Sequence, residues 1–243
     1  MNRYFIKLAY NGSGFHGWQI QDNAHSVQAE LTEKLILLLK TDLNIVGCGR
    51  TDTGVHASEF FAHFDIEDEI ENTEDLMYKL NSFLSEGIVI YNIYLVDNQL
   101  HSRFSAKKRT YKYYISTIKN PFQNHLSYYF NIPLNVEEMN KATNYLFDYE
   151  DFTSFSKLHT QTATNNCKIE KAEWTEEDGT LVFTISADRF LRNMVRAIVG
   201  TLIEIGRGKL KAEDIKTIIE SKDRANAGYS VPAHGLFLNK VKY

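Results

Sequence analysis

The sequence has little cysteine, little proline and no long apolar run. Its two cysteines, Cys48 and Cys167, lie far apart without any paired spacing, so they form neither a disulfide framework nor a zinc motif. No apolar stretch reaches the roughly 18 residues of a membrane span, and the N-terminus begins like a strand rather than like a secretory signal. These absences predict a cytoplasmic protein that is not bound to a membrane.

Three prolines and 13 glycines leave no room for a long disordered linker. The 243 residues, of which 43% are hydrophobic and 24% charged, are enough for one large globular domain or two modest ones.

Charge is unevenly distributed along the chain, although the net charge is only −4. Residues 65–75 carry seven acidic side chains and no basic one. Basic residues gather in three other segments, at 103–112, 189–196 and 207–211. Because a nucleic acid needs only a local basic face, the mildly acidic total does not exclude RNA as a partner. Solvated charge on an ordinary surface explains any one of these clusters equally well.

The first half of the chain predicts the element order β-α-β-β-α-β. Strands are expected at residues 3–10, just before Gly47, at 58–65 and at 88–96. Two helices follow from apolar residues at helical spacing, one after Ser26 and one after a cap at Asn72 or Thr73. This order is that of a split-βαβ unit, with helices on one face of an antiparallel sheet.

The second half repeats this pattern loosely, with strands at 111–117, 168–174, 181–187 and 236–243 and a turn at 177–179. Helices are expected at 136–147, 189–205 and 212–220. We therefore predict an α+β protein of two ferredoxin-like or RRM-like split-βαβ subdomains, whose antiparallel sheets flank a central active-site cleft. The predicted domains are residues 1–105 and residues 106–243.

Residues 12–17 match the G-x-G-x-x-G pattern that follows the first strand of dinucleotide-binding proteins. That site requires a helix to begin at the motif, so that its amide groups meet the pyrophosphate. Here residues 18–23 intervene before any helical period starts, and the matching acidic residue is missing. The motif therefore does not predict a nucleotide cofactor.

His56 and His63 lie near Asp52 and Cys48, which raises the question of a metal site. Asp52 and His56 could bind one metal as an i, i+4 pair only on a helix, and residues 53–55 have low helix propensity. His63 is expected on a strand. No second cluster supplies the three or four convergent ligands that zinc requires, so no metal is predicted.

Residues 49–57 form a loop between two strands, pinned by glycines, that holds Arg50 and Asp52 two residues apart. Such a loop is consistent with a simple turn, in which Asp52 accepts local amide hydrogen bonds. It is also suited to chemistry, because loops held by a rigid sheet can present side chains to a cleft.

Five other segments carry distinctive residues: 10–19 with 26–28, 103–113, 151–155, 190–200 and 232–238. Together with residues 49–57, and in this order, they resemble the tRNA pseudouridine synthase A family over nearly the whole chain. The chain departs from the family pattern at 157–167 and at 229–231, where smaller residues usually precede the proline. Neither departure touches the residues expected to carry the chemistry.

The resemblance implies that Asp52 is the catalytic carboxylate of a uridine isomerisation that uses neither cofactor nor metal. It implies Arg196 as the positive partner that keeps this carboxylate ionised. Helical spacing is expected to place Arg189, Arg192 and Arg196 on one side of their helix, opposite an apolar side. A solvated basic face is the alternative for Arg196, and it stays open for Arg192.

By the same resemblance, Arg50 enters the space of the target base as this base leaves the helix stack, because a base inside a duplex is unreachable. Tyr111 is expected to stack on the extruded uracil, and Lys107, Arg109 and Arg192 to contact the RNA.

The implied substrate is the anticodon arm of tRNA, at tRNA positions 38 to 40, and the implied assembly is a homodimer. Two alternatives remain at this point. A catalytically silent RNA-binding module shares the β-α-β-β-α-β order, although the paired stacking aromatics of that module are missing. A nicotinamide enzyme requires a bound dinucleotide.

Overall fold

The computed structural model describes residues 1–157, 164–177 and 179–243. Within these ranges the chain forms two compact units, residues 1–107 with 238–243 and residues 108–237. The predicted turn at 177–179 and the divergent segment at 157–167 lie partly outside the described residues.

The first unit follows the predicted order of strands and helices. Its elements are β1 (Asn2–Tyr10), α1 (Val27–Leu39), β2 (Val46–Gly47), β3 (His56–Ile66), α2 (Thr73–Phe83) and β4 (Ile88–Val96). Both predicted helix starts are confirmed. The Ser26 side chain accepts a hydrogen bond from the amide of Ala29, and the Asn72 side chain accepts one from the amide of Asp75.

The sheet of the first unit pairs β1 antiparallel with both β3 and β4, and β2 with β3. The last strand, β9 (Leu236–Lys242), lies beside β3, so that residues 238–243 belong to this unit. The domain boundary proposed from sequence assigned these residues to the C-terminal domain. The local sequence pattern cannot show that this last strand joins the sheet of the first unit, because the strand pairs with residues about 180 positions earlier.

The second unit contains β5 (Lys108–Ser116), β6 (Tyr128–Tyr129), α3 (Val136–Asn144), β7 (Ile169–Glu177), β8 (Thr180–Ala187), α4 (Met194–Gly206) and α5 (Asp214–Glu220). In its sheet β8 pairs antiparallel with β5 and β7. The short strand β6, which the sequence did not predict, runs parallel to β5. The sheet is therefore mixed, and the expectation of purely antiparallel sheets is wrong for this unit.

Helix α4 begins at Met194, five residues later than predicted. Asn193 has a φ of +68°, a left-handed conformation that an α-helix cannot continue through. Arg189 and Arg192 consequently precede the helix, and only Arg196 lies within it. The predicted row of three arginines along one helix face is wrong.

The helix itself is almost entirely buried, which fits its apolar composition. The described residues form five α-helices and a mixed set of strands, which confirms the α+β class. Among them, no helix combines the length and apolar character needed to cross a bilayer.

His63 on β3 is only 3% exposed, and its ring stacks on Phe5 at a centroid distance of 5.9 Å. Its Nδ1 lies 2.7 Å from the Oγ of Ser102. Burial, reinforced by the charge of Arg3, lowers the pKa of His63 from 6.5 to about 4. The native state therefore holds this ring neutral.

The stability of the protein should fall as the pH drops from 7 to 4.5. In this window the unfolded chain binds a proton at His63 and the native state does not, a difference of at most about 3 kcal/mol. We expect the free energy of unfolding from urea titrations to fall by about 2 kcal/mol more in the wild type than in His63→Gln. Equal pH slopes for the two proteins would contradict this assignment.

Candidate active site

The half-buried Asp52 lies in the loop between β2 and β3. Hydrogen bonds to Thr51, the residue before Asp52, hold this loop in place. The carbonyl of Thr51 accepts a hydrogen bond from the amide of Trp18 at 3.3 Å. The Oγ1 of Thr51 lies 2.9 Å from the hydroxyl of Tyr10. The carbonyl of Asp52 accepts the amide of Val55 at 3.1 Å, which closes the turn. Asp52 therefore lies in a turn, and the contacts of this turn also hold Asp52 in a fixed position.

The glycine motif of residues 12–17 lies directly against this loop. A Cβ atom on Gly12 would be 2.1 Å from the carbonyl oxygen of Val55, and one on Gly17 would be 2.3 Å from that of Thr51. Gly17 also has a φ of +85°. Helix α1 begins only at Val27, ten residues after the motif, as predicted. The glycines therefore allow two backbone segments to approach closely.

Trp18 supports the loop from the core. Its ring stacks on Phe60 of β3 at a centroid distance of 4.2 Å and lies over Gly47, where any side chain would collide with the indole. The ring is 2% exposed, so the amide that donates to Thr51 is carried by a rigid, buried residue.

His56 and His63, the histidines considered as metal ligands, are buried and make hydrogen bonds within the fold. The Nδ1 of His56 accepts the amide of Gly12 at 3.0 Å, and His63 contacts Ser102. Within the part of the chain that the structure describes, no group of three or more His, Cys, Asp or Glu side chains is arranged to hold a metal ion.

Arg50 is exposed in the same loop as Asp52. Lys107 is also exposed in the first unit, and its amide donates to the carbonyl of Lys242 at 2.8 Å. Two cationic side chains are therefore available at the surface of this unit.

The remaining candidate residues belong to the second unit. Tyr111 lies on β5, half-buried, and its ring meets that of Phe190 edge-on at a centroid distance of 5.0 Å. Arg109, two residues earlier on the same strand, donates from Nη1 to the carbonyl of Asp188 at 2.9 Å. Strand alternation places Arg109 and Tyr111 on one face of β5.

Arg196 lies in the first turn of α4 and is held in a fixed orientation. Its Nε donates to the carbonyl of Val231 at 2.7 Å, and the amide of Val231 donates back to the carbonyl of Arg196 at 3.3 Å. Arg192 is exposed just before the helix, with its carbonyl accepting the amide of Lys157.

Residues 230–231, which hold Arg196, are themselves held by the side chains of Asn193 and Arg224. The sequence did not predict this role for either residue. The Oγ of Ser230 accepts Nδ2 of Asn193 at 2.7 Å and Nη2 of Arg224 at 3.0 Å. Arg224 also donates to the carbonyl of Gly228 at 3.0 Å. Part of the divergent stretch 229–231 thus serves to position Arg196. No local pattern marks this role, because the partners are up to 37 residues apart.

The structure brings Asp52 and Arg50 together in one loop, Arg109 and Tyr111 on one strand, and Arg192 and Arg196 around the start of one helix. That the residues of the first unit and those of the second act on one substrate stays a prediction.

Comparison with known proteins identifies relatives over the full length of the chain. A family model described as tRNA pseudouridine synthase matches residues 144–243. The chain is 55% identical to tRNA pseudouridine synthase A of Parabacteroides distasonis over 243 residues, covering 100% of this chain and 96% of the relative. It is 53% identical to that of Bacteroides fragilis, covering 100% and 97%, and 39% identical to that of Bacillus subtilis, covering 97% of each.

Gly17→Ala should displace the loop that carries Asp52. The new methyl group would meet the carbonyl of Thr51 in a backbone conformation that alanine disfavours, at a cost of about 2 kcal/mol or more. We expect faster amide hydrogen exchange at Gly54 and Val55, measured by mass spectrometry, together with a lower melting temperature. Gly14→Ala is the matched control, because no atom lies within 4 Å of its added carbon. Identical exchange in the two variants would show that Gly17 does not support the loop.

Proposed function

The chain belongs to the tRNA pseudouridine synthase A family, whose members are isomerases, and from this we propose that it converts uridine to pseudouridine in tRNA with Asp52 as the catalytic carboxylate. The observation that carries the proposal is the position of Asp52, held half-buried on a loop that Trp18 and Gly17 fix through the backbone of Thr51. Similarity over the full chain supports the assignment.

The reaction breaks the bond between C1′ of the ribose and N1 of the uracil, turns the base and joins C1′ to C5. The C5 proton is lost and N1 gains a proton, so there is no net hydrolysis or redox change. The chemistry requires a carboxylate aimed at the uridine. Attack on the base, attack on the ribose and removal of a sugar proton are each open to Asp52, and a covalent step would be ordinary nucleophilic catalysis.

Arg196 is proposed as the positive partner of Asp52. A carboxylate in a closed pocket becomes neutral unless a cation offsets its loss of hydration. The hydrogen bond from Nε to Val231 fixes the plane of the Arg196 guanidinium, which supports a role that demands one orientation.

Tyr111 is proposed to stack on the uracil after its extrusion, while Arg50 enters the space that the base has left. The edge-on contact with Phe190 keeps the Tyr111 ring in one position, and Arg50 is exposed within two residues of Asp52. The Tyr111 hydroxyl is then a candidate for removing the C5 proton.

Lys107, Arg109 and Arg192 are proposed to contact the phosphates of the RNA. Lys107 and Arg192 are exposed, and Arg109 is oriented by its hydrogen bond to Asp188. Contacts of this kind make affinity depend on salt but carry no sequence information. By family resemblance, the target is the anticodon arm at tRNA positions 38 to 40.

We also propose that each unit is a ferredoxin-like split-βαβ subdomain and that the protein acts in the cytoplasm. The β-α-β-β-α-β order and antiparallel pairing of β1, β3 and β4 support the first statement for residues 1–107.

Asp52→Ala and Asp52→Asn should abolish formation of pseudouridine, with a loss of about a thousandfold or more, because the reacting carboxylate is removed. The measurement is nucleoside analysis of unmodified tRNA after incubation with each protein. Asp42→Asn, a change at an exposed aspartate outside the loop, is the matched control and should retain activity. Product from either Asp52 variant would refute the mechanism. No product from the wild type would favour the RNA-binding module.

The homodimer is tested by light scattering coupled to gel filtration. We expect the mass of two chains at micromolar concentration, because the family resemblance implies an RNA site that spans two subunits. A mass of one chain at both low and high protein concentration would refute the dimer.

A further inference from the structure

Residues 101–105, which follow β4, form a turn that is closed by its own side chains. The amide of His101 donates to the Oγ of Ser105 at 2.9 Å, and the amide of Ser105 donates to the carbonyl of His101 at 2.9 Å. The Nδ1 of His101 accepts the amides of Arg103 and Phe104 at 3.1 and 3.2 Å. Four hydrogen bonds within five residues fix the turn in one conformation.

The turn is also attached to the sheet through Ser102, which is completely buried. The Oγ of Ser102 donates to the carbonyl of Val46 at 2.7 Å, and its amide donates to Nδ1 of His63 at 3.2 Å. The carbonyl of Ser102 accepts the hydroxyl of Tyr243 at 2.7 Å. The anchor therefore reaches β2, β3 and the residue after β9.

On this rigid turn Phe104 is 77% exposed. The His101 ring lies against it at a centroid distance of 4.4 Å, and the Arg103 guanidinium lies 5.5 Å from its ring centroid. Burial lowers the pKa of His101, helped by the charges of Arg3 and Arg103, so the supporting ring is neutral near pH 7. Single exposed apolar residues are common, and Phe104 differs from a merely exposed ring in that four hydrogen bonds fix its turn.

Resting on the proposed function, we propose that Phe104 is a stacking platform for an unpaired nucleobase of the tRNA, distinct from the uridine that is isomerised. A flat apolar ring, presented rigidly to solvent, loses little conformational entropy on binding and gains the stacking energy of any base. Aromatic rings flanked by cations are the general means by which proteins bind unpaired nucleotides.

The charges around the turn favour a polyanion over a protein surface. Residues 98–108 carry no acidic side chain. The exposed Lys107 is joined through its backbone to Lys242, which is also exposed. Asp65, two residues after His63 on β3, is bound by both Nε and Nη2 of Arg3 at 2.7 Å. Its charge is thereby largely offset.

The platform and the C-terminal end of the Asp52 loop adjoin different positions along β3. His63, which contacts the turn, is seven residues along β3 from His56, which adjoins the Asp52 loop. At the rise of a β-strand, the stretch of β3 between these two histidines is about 23 Å long. A base at Phe104 is therefore a second contact that positions the RNA.

The test is the affinity of the full-length protein for unmodified tRNA, measured by fluorescence anisotropy. We expect Phe104→Ala to raise the dissociation constant about tenfold, as removal of a stacked base contact does. Phe104→Tyr should stay within about twofold of the wild type, because it keeps the ring. Phe122→Ala, which removes another exposed phenylalanine (90%), is the matched control and should bind like the wild type.

A tRNA carrying 2-aminopurine at single unpaired positions identifies the bound base, since its fluorescence is quenched by stacking. Quenching at one position, present in the wild type and absent in Phe104→Ala, is the expected result. Equal affinity of Phe104→Ala and the wild type would overturn the proposal. So would loss of self-association in Phe104→Ala by light scattering, because the occupant would then be a second copy of the chain.

These outcomes are independent of catalysis. The binding assay gives the same answer in the Asp52→Ala background, so failure of the stacking platform and failure of the proposed reaction are distinguished. An unchanged melting temperature of Phe104→Ala, expected for loss of an exposed ring, confirms that the variant is folded.

Discussion

The close contact between the backbone of Gly17 and the carbonyl of Thr51 governs the geometry of the Asp52 loop. At this point two chain segments about 35 residues apart lie closer together than any side chain would permit. The amide of Trp18 and the hydroxyl of Tyr10 then fix both the carbonyl and the side chain of Thr51. The backbone of Asp52, one residue later, is thereby held in a defined position.

In the second unit, main-chain hydrogen bonds likewise position a charged candidate residue, Arg196. The Arg196 guanidinium is oriented by a main-chain carbonyl, and the segment that supplies this carbonyl is tied to Asn193 and Arg224 through Ser230. Main-chain acceptors orient a cation without neutralising it.

The sequence predicted those parts of the fold that have strong local signals. Periodic apolar residues and the caps at Ser26 and Asn72 located α1 and α2, and a strand-like composition located β1 and β4. The start of α4 was missed because Asn193 interrupts a sequence whose apolar spacing continues unbroken. The strand β6 was missed because two residues have no period. The motif segments singled out Asp52, Tyr111 and Arg196. The glycine motif marked Gly17 but not its contact with Thr51, and nothing local marked the hydrogen bond between Arg224 and Ser230.

The return of residues 238–243 to the first unit affects how the protein is made. While the ribosome synthesises the chain, the part of the β3 edge that β2 leaves uncovered has no strand partner until these residues have emerged. An open strand edge invites pairing with other nascent chains. In the folded protein, β9 covers this part of the β3 edge and so removes it from such pairing.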